Sequence, residues 1–285
     1  MSRIHPTAIV SPQAVIGQDV SIGPFCLIED DVTIGDGCRL ESRVSVYSGT
    51  RLGKRNHLHD GAVVGGKPQH ARCPDELGQT IVGEGNVIRE YVTIHRGLHP
   101  GSDTVIGSGN MLMVGVHVAH DCRVGDQCIM ANNALLAGHV TVGSKAYLSG
   151  AVAVHQFCRI GSYAMVGGQA HITKDVPPYV LLDGQSSLVV GLNAIGLKRN
   201  GFREEEIAQL KQAYRVIYRS GLKWADVLSA LRMQFSSGPA AAFHTFLAEG
   251  KRGFVQERRI PRSATLPLHG NDSLEEGETG IRRVG

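Results

Sequence analysis

Several histidines in the middle of the chain have the residue type and spacing expected of an acid–base centre. His120 is followed directly by Asp121, and steps of 18 residues from His120 reach Gly138 and then Gln156. Further imidazoles flank this column at His117, His139 and His155. An imidazole titrates near neutral pH, so a row of histidines along one edge predicts proton transfer rather than a purely structural stripe.

The residue types in this column predict distinct roles. His120 is the candidate general base, and the adjacent Asp121 can orient its ring and stabilise its charged form. Gly138 has no Cβ, so its N–H can face a developing oxyanion. The nearest thiol, Cys122, falls in a column predicted to point inward. The sequence therefore favours direct transfer, with histidine activating the acceptor, over a covalent enzyme intermediate.

A six-residue repeat predicts how these residues are spaced in the fold. Stepping by six from Ile4 to Ile172 gives 29 positions, of which 26 are apolar and three, His70, Glu76 and Pro100, are not. A second column, four residues later, holds small residues such as alanine, valine and cysteine. This period fits neither an amphipathic helix nor a plain alternating strand, and it predicts a β-helix built from hexapeptides.

Glycine marks the number of sides in each coil. Seven glycines recur on an 18-residue period, which is three hexapeptides, so each coil is predicted to be a triangle with these glycines at one corner: Gly17, Gly35, Gly53, Gly107, Gly125, Gly143 and Gly161. We expect glycine there because it tolerates a positive φ. Three asparagines of the small column, Asn56, Asn86 and Asn110, are expected to hydrogen-bond the corner backbone.

The repeat defines the predicted domains. Residues 1–190 form the β-helix, with polar loops at about 67–80 and 97–104, and the prolines of DVPPYV (175–180) end it. Residues 191–255 change to helical spacing, as in Ile207, Leu210 and Tyr214. Residues 256–285 lack periodicity and are predicted to be a flexible tail.

Composition narrows the class of protein. Glycine contributes 36 of 285 residues and aromatic residues only 5%, which suits a narrow core of small repeated units. No run of apolar residues is long enough for a membrane span. The six cysteines have no CxxC spacing, and the first residues lack a secretory pattern, so a cytoplasmic, reduced protein is expected. The net charge of +3 is too small to predict nucleic-acid binding.

A metal site and a charged surface are the main alternatives. His117 and Cys122, with a histidine from a neighbouring chain, could be drawn as a zinc site of a trimeric β-helix enzyme. We predict no metal, because the inward column of Cys122 points away from the histidines. Ten basic and five acidic side chains in 191–255 form either a solvated surface or a docking surface for an acidic partner. A purely structural scaffold is the remaining alternative.

Several motifs, in order along the chain, resemble the bacterial UDP-N-acetylglucosamine O-acyltransferases: VTIHRG (92–97), HVAHDCRVG (117–125), NNALLAGHVTVG (132–143), AVHQFCRIG (153–161), DVPPYV (175–180) and GLKRNGF (196–202). The resemblance covers about residues 4–250. It implies a left-handed parallel β-helix with a C-terminal α-helical domain, assembled as a homotrimer with active sites between subunits. It also implies transfer of an (R)-3-hydroxyacyl group from acyl carrier protein to the 3-hydroxyl of UDP-N-acetylglucosamine, the first step of lipid A biosynthesis.

The resemblance assigns further roles, each as an expectation. His120 is the base, Asp121 its orienting partner and Gly138 the oxyanion donor. Acyl carrier protein brings the phosphopantetheine thioester and docks on the basic helical face, so no other cofactor is expected. Gly168 matches the position that limits acyl-chain length, and glycine there predicts a longer chain. The residues expected to bind substrate are Arg72, His117, His139, His155, Gln156, Asn193 and Arg199.

Some positions depart from the family pattern. His70 and Arg72 stand where the family commonly has aspartate and lysine. Ile195 replaces an expected acid, and Asn200 an expected second arginine. These differences leave two acceptors open, one bearing a 3-hydroxyl and one bearing a 3-amine, the latter in a related hexapeptide acyltransferase.

Overall fold

A computed structural model describes residues 2–258 and shows how the six-residue repeat folds. Nearly every hexapeptide contributes a strand of two residues that ends on the apolar residue of the repeat, followed by a tight corner. Three corners complete one coil, so the chain winds into a triangular prism. Within residues 2–258, no helix is long and apolar enough to cross a membrane.

The prism has three sheets as its faces, and their strands are parallel except for the last strand of face 1. Face 1 contains Arg3–Ile4, Ser21–Ile22, Arg39–Leu40, His57–Leu58, Val87–Ile88, Met111–Leu112, Ile129–Met130, Tyr147–Leu148, Met165–Val166, Val180–Leu182 and Val189–Leu192. Face 2 contains Ile9–Val10, Leu27–Ile28, Ser45–Val46, Val63–Gly66, Thr93–His95, His117–Val118, Leu135–Leu136, Ala153–Val154 and His171–Ile172. Face 3 contains Val15–Ile16, Thr33–Ile34, Thr50–Leu52, Gln79–Val82, Asp103–Ile106, Arg123–Val124, Thr141–Val142 and Arg159–Ile160.

Strand register confirms the 18-residue coil and shows what the loops add. Arg3 pairs with Ser21, an offset of 18, and Arg123 pairs with Thr141 at the same offset. The offset grows to 30 between His57 and Val87, and to 24 between Val87 and Met111. The two loops therefore insert 12 and 6 residues. Both insertions are multiples of six, so the coil resumes in phase after each.

The core is a narrow column of stacked apolar side chains. The repeat positions from Ile22 to Ile172 are at most 3% exposed wherever they are apolar, and the cysteines of the small column are buried beside them. Burying one such aliphatic side chain contributes about 1.5–3 kcal/mol relative to leaving it in water. Because this contribution repeats in every coil, the core does not need large rings.

The buried asparagines form a ladder as well as bonding the corner backbone. The Asn56 amide donates to the carbonyls of Gly53 (2.9 Å) and Gly83 (2.8 Å), as expected. The amides of Asn86 and Asn110 then each donate to the side-chain oxygen of the asparagine one coil earlier, at 2.9 and 3.0 Å. These buried polar groups are therefore satisfied across three successive coils.

The reason for the corner glycines differs from the sequence-based expectation. None of the seven has a positive φ; that conformation recurs every six residues at other positions, many of them occupied by larger residues such as Asp19 and Arg55. At Gly35, a Cβ would instead lie 2.7 Å from the carbonyl carbon of Gly53 in the next coil. Glycine is required there because the backbones of adjacent coils approach closely, so the expectation of a positive φ was wrong.

The β-helix ends in an antiparallel pair, Val180–Leu182 with Val189–Leu192, and four helices follow. Their bounds are α1 (Ala194–Arg199), α2 (Glu204–Arg219), α3 (Trp224–Gln234) and α4 (Ala241–Ala248). Helix α2 buries the apolar stripe that its spacing predicts, and three glutamates in its first turn favour the positive end of the helix dipole.

The first residues assigned to the tail are part of the fold. Glu257 pairs with Val189 in a β-bridge and accepts hydrogen bonds from Tyr214 (2.7 Å) and Arg219 (3.0 Å). The prediction of a tail from residue 256 was therefore wrong for 256–258, because three partners hold Glu257 to the sheet edge and α2. Residues 259–285 lie outside the described residues.

Replacing Gly35 by alanine tests the close-approach explanation. The added Cβ would overlap the Gly53 backbone at 2.7 Å, so we expect the free energy of unfolding to fall by about 1–3 kcal/mol. Gly37→Asn is the matched control, because this position has φ +68 and asparagine tolerates that conformation. Urea unfolding followed by circular dichroism measures both variants. Equal stability of Gly35→Ala and the wild type would contradict the explanation.

Candidate active site

The histidine column lies at the corner between face 2 and face 3. The strand His117–Val118 ends face 2 of its coil, and Arg123–Val124 begins face 3. His120 and Asp121 form the corner between them, and Asp121 adopts the left-handed conformation with φ 61. The turn of the repeat therefore brings the carboxylate back toward the imidazole that precedes it.

His120 and Asp121 form a buried dyad. His120 Nδ1 lies 2.7 Å from Asp121 Oδ2, and His120 is only 8% exposed. A carboxylate on Nδ1 favours the tautomer that leaves Nε2 unprotonated, which is the form a general base needs. The structure thus brings the two side chains together as the predicted roles require, and the roles themselves stay a prediction.

The second loop, residues 97–104, holds Asp121 in place. The Asp121 N–H donates to Thr104 Oγ1 at 2.8 Å, and the Leu98 N–H donates to both carboxylate oxygens at 3.3 and 3.4 Å. Burial alone would raise the pKa of Asp121, but hydrogen bonds from Ser102, His120 and Leu98 outweigh it and lower the pKa below its usual range. Asp121 is therefore a carboxylate at neutral pH.

Gly138 lies against the dyad, one coil above it. A Cβ at this position would lie 2.6 Å from His120 Cε1 and 2.8 Å from Nε2, so only glycine leaves room for the ring. Gly138 is buried, and its N–H has no acceptor among residues 2–258. The 18-residue spacing therefore predicted correctly that Gly138 lies beside His120. The free N–H of Gly138 is available to an oxyanion.

His139 contacts the same carboxylate. Its Nε2 lies 3.6 Å from Asp121 Oδ2, and its ring meets that of His120 edge-on at 5.2 Å. Phe157, from the next coil, stacks on His139 with centroids 4.5 Å apart. Burial, followed by the neighbouring charge of His120, lowers the pKa of His139 despite the attraction of Asp121. His139 is thus a neutral imidazole at pH 7.

A second pair of histidines lies on face 2. His117 Nδ1 lies 2.7 Å from Thr93 Oγ1, and its ring meets His95 edge-on at 4.9 Å. His95 is 6% exposed, its Nδ1 has no partner among the described residues, and burial lowers its pKa to about 4. The sequence argument missed His95, although it falls within the VTIHRG motif and directly follows a repeat position.

Both loops bring imidazoles to the dyad. The ring of His70, from the first loop, meets that of His120 edge-on at 5.7 Å. His99, from the second loop, is close enough for its charge to lower the pKa of His139. His70 had been identified only as a departure from the family pattern, and His99 had not been singled out, because loop conformation cannot be deduced from the repeat.

Other predicted substrate-binding residues line the open side of the site. Arg72 follows His70 in the first loop and is exposed, with its backbone N–H donating to His70 Nδ1 at 3.2 Å. His155 and Gln156 are exposed on the next coil, and Arg252 contacts His155 Nδ1 at 3.3 Å. These side chains are therefore accessible to a ligand at the same corner of the prism.

Asn193 and Arg199 lie elsewhere on the subunit. Together with residues from Ile129 to Leu192, they line a groove of about 860 Å³ along face 1. Asn193 caps α1 by accepting from Gly196 N at 3.1 Å, and its amide donates to the carbonyl of Tyr163 at 3.0 Å. Within one chain, the structure does not bring this groove and the histidine corner together.

The zinc site drawn from His117 and Cys122 has no support in the geometry. Cys122 is buried and its thiol donates to the carbonyl of Ala137. Burial raises the pKa of this thiol to about 12, so it is protonated at neutral pH. This thiol lies in the core, and among residues 2–258 His117 and Cys122 belong to no cluster of three or more ligand atoms close enough to share an ion.

Comparisons with known proteins identify the family of the chain. Residues 175–255 match a family model described as UDP N-acetylglucosamine O-acyltransferase, domain 2, and residues 103–138 match the bacterial transferase hexapeptide model. A protein of Halorhodospira halophila named acyl-[acyl-carrier-protein]–UDP-N-acetylglucosamine O-acyltransferase is 46% identical over 258 residues, covering 90% of this chain and all of the relative. An identically named protein of Alkalilimnicola ehrlichii is 50% identical over the same shares.

The chain belongs to the UDP-N-acetylglucosamine O-acyltransferase family. It is therefore an acyltransferase.

Solved structures of this acyltransferase family share its fold. The Bacteroides fragilis enzyme is 38% identical, with a TM-score of 0.86 over 89% of this chain and all of that one. The Acinetobacter baumannii enzyme is 41% identical, with a TM-score of 0.85 over 89% of this chain and 99% of that one. The predicted fold class, a left-handed parallel β-helix with C-terminal helices, is confirmed.

Gly138→Ala tests whether the acyltransferase needs the close approach of this glycine to His120. The added methyl group would lie 2.6 Å from Cε1 and displace the ring. We expect the transfer rate to fall about 100-fold, the scale that a misplacement of about 1 Å produces. Gly150→Ala is the control, since its Cβ would lie 3.5 Å from its nearest neighbour. If Gly138→Ala retains the wild-type rate, the assignment fails.

Ser102→Ala tests how the second loop sets the pKa of Asp121. The Ser102 hydrogen bond lowers this pKa, whereas burial raises it. Without the Ser102 hydroxyl, fewer hydrogen bonds counteract the effect of burial, so the pKa should rise. A carboxyl whose pKa is lowered by folding stabilises the fold above its unfolded pKa, and this contribution is lost as the pH falls through its folded pKa. The variant should therefore lose less stability from this group below about pH 4.

Carbon NMR titration of the Asp121 carboxyl measures that shift directly. The matched control is Ser108→Ala, which removes a hydroxyl that accepts the Glu84 N–H at a different corner, at 3.0 Å. An unchanged Asp121 pKa in Ser102→Ala would show that the Ser102 hydroxyl does not lower it.

Proposed function

We propose that this acyltransferase moves an (R)-3-hydroxyacyl group from acyl carrier protein to the 3-hydroxyl of UDP-N-acetylglucosamine, the first step of lipid A biosynthesis. The names of its relatives state both substrates. The observation that carries the proposal is the buried His120–Asp121 dyad beneath the unpaired N–H of Gly138. A base and an oxyanion donor side by side are the two groups that acyl transfer to a hydroxyl requires.

The proposed reaction is a direct transfer. His120 Nε2 removes the proton of the acceptor hydroxyl as its oxygen attacks the thioester carbon, and Gly138 N–H stabilises the oxyanion. The tetrahedral intermediate then collapses, the C–S bond breaks, and the imidazolium returns its proton to the leaving thiolate. Asp121 stabilises the imidazolium between these steps. The high pKa and burial of Cys122 argue against a covalent intermediate on that thiol.

We infer that the complete site forms between subunits of a homotrimer. The histidine corner and the groove containing Asn193 and Arg199 lie on different parts of one prism, so substrate that contacts both must lie between chains. Face 1 also carries a row of partly exposed apolar side chains, Met111, Ile129, Tyr147 and Met165. Phe157 is 51% exposed beside His139, as expected if a neighbour or an acyl chain covers it.

Acyl carrier protein is proposed to dock on the basic helical face. This surface comprises Lys198, Arg199, Arg203, Lys211, Arg215, Arg219 and Lys223. Arg203 pairs with Glu206 and Arg219 with Glu257, whereas no ion pair among residues 2–258 engages Lys211 or Arg215. These two positive charges are available to an acidic partner. The carrier supplies the only cofactor that the proposal needs, its phosphopantetheine, and the cytoplasmic location stays a prediction.

An acceptor bearing a 3-amine is the second candidate, and His70 is the observation that favours it. The centroid of the His70 ring lies 5.7 Å from that of the His120 ring, and the family commonly has a carboxylate at the position of His70. This exchange alters hydrogen bonding and charge beside the reacting group.

Gly168 concerns the length of the donor's acyl chain. A Cβ there would lie 3.3 Å from the carbonyl oxygen of Gly150, so the position is tight but free of a side chain.

Mass spectrometry of products tests these assignments together. UDP-N-acetylglucosamine and its 3-amino analogue are each incubated with a series of 3-hydroxyacyl carrier proteins. We expect the 3-hydroxyl sugar to be acylated, and a fourteen-carbon donor to be preferred over a ten-carbon donor because Gly168 leaves room. Preference for the ten-carbon donor would contradict the chain-length prediction, and product from the amine alone would favour the second candidate.

His120→Ala tests the proposed base in the same assay. Loss of general base catalysis should lower the rate by about 10²–10⁴-fold, while circular dichroism shows an intact β-helix. His244→Ala, on α4 and away from the dyad, is the matched control. A fully active His120→Ala would overturn the mechanism.

A further inference from the structure

We propose that His120, Asp121 and His139 form an inhibitory site for a divalent transition-metal ion, Zn²⁺ by its ligand chemistry. Within residues 2–258, these three form the one group of three or more histidine, cysteine or acidic side chains whose ligand atoms all lie within 4.8 Å of one another. The site differs from the His117–Cys122 pair considered from the sequence, because it uses two imidazoles and an ionised carboxylate.

The distances fit the coordination geometry of zinc. Bonds of about 2.0–2.1 Å in a tetrahedron separate ligand atoms by about 3.3–3.4 Å. The carboxylate oxygen Oδ2 of Asp121 lies 2.7 Å from His120 Nδ1 and 3.6 Å from His139 Nε2, which brackets that separation. All three ligand atoms lie within 4.8 Å of one another, so a modest movement of the two imidazoles toward each other would let all three bind one ion.

The donor set also suits metal binding. Two imidazole nitrogens and one carboxylate oxygen are ligands that Zn²⁺ accepts in catalytic-type sites. His139 is partly exposed, so the fourth coordination position faces solvent and takes a water molecule.

The ligands are also held in place before a metal arrives. Phe157 stacks on His139 at 4.5 Å, and the Leu98 N–H binds the Asp121 carboxylate. Such outer contacts orient ligands and raise metal affinity. The proposed site is therefore built by the same contacts that order the dyad.

Metal binding would disable the base through its tautomer. The proton that His120 Nδ1 shares with Asp121 must leave when Nδ1 binds the ion, and in a neutral imidazole it moves to Nε2. Nε2 then carries a hydrogen and has no lone pair to accept the proton of a substrate hydroxyl. The ion needs no bond to substrate, because it inhibits by moving the ring proton of His120 from Nδ1 to Nε2. This inhibitory consequence rests on the proposed function, whereas metal binding itself does not.

Calorimetric titration of the purified full-length enzyme with Zn²⁺, without substrates and after removal of chelator, tests the site. We expect one ion per chain, and a visible absorption spectrum of four-coordinate Co²⁺ in a parallel titration. His139→Gln and Asp121→Asn should each weaken Zn²⁺ binding by about tenfold or more. His244→Gln, which removes an imidazole from α4, should bind as the wild type does.

Two variants keep the test decisive if one of them fails to fold. Absence of Zn²⁺ binding, or wild-type affinity in every folded variant, would overturn the proposal. A separate acyl-transfer assay should show loss of activity with Zn²⁺ and recovery with chelator. Binding without inhibition would overturn the inhibitory role, while an enzyme that lacks the proposed transfer activity but binds Zn²⁺ would still retain the site.

Discussion

Stacking of each coil directly on the one before is the constraint on which the rest of the molecule depends. Parallel pairing holds neighbouring strands at about 4.8 Å, so any side chain at the tightest corner would meet the next backbone. Gly35 shows this, since its Cβ would lie 2.7 Å from Gly53. The same spacing puts Gly138 against the ring of His120, so one rule of packing shapes both the scaffold and the dyad.

The chemistry arises where loops add to this regular scaffold. The repeat alone places His120, Asp121 and Gly138 at one corner, but the second loop holds Asp121: the Leu98 N–H donates to its carboxylate, and Thr104 Oγ1 accepts its backbone N–H. Rigid coils thus set the separation of base and oxyanion donor, and the loop sets the electrostatics of the carboxylate. A site built this way needs few mobile parts, because the coil has already aligned its groups.

Features that follow the period could be predicted from the sequence, and features that depend on loop conformation could not. The 18-residue spacing placed Gly138 beside His120, because residues 18 apart lie at the same position of neighbouring coils. It gave no information on how the exposed His70 and His99 approach the dyad, since ejected loops have no register. His95 was missed because burial of a polar residue beside a repeat position leaves no trace in the apolar pattern. The corner glycines were located correctly but explained wrongly, since a shared period does not distinguish a positive φ from a close approach.

The asparagine ladder has a consequence for how the chain finds its winding. Asn56 bonds Asn86 across the first insertion, and Asn86 bonds Asn110 across the second, so the ladder spans both places where the period is interrupted. A coil that resumed one hexapeptide later would set Val92 or Val116 against an asparagine and leave a buried amide group unpaired, at about 1–3 kcal/mol for each lost partner. The ladder therefore disfavours windings in which the coils resume out of frame. The loop sequences can differ while the ladder still fixes which coils stack on each other.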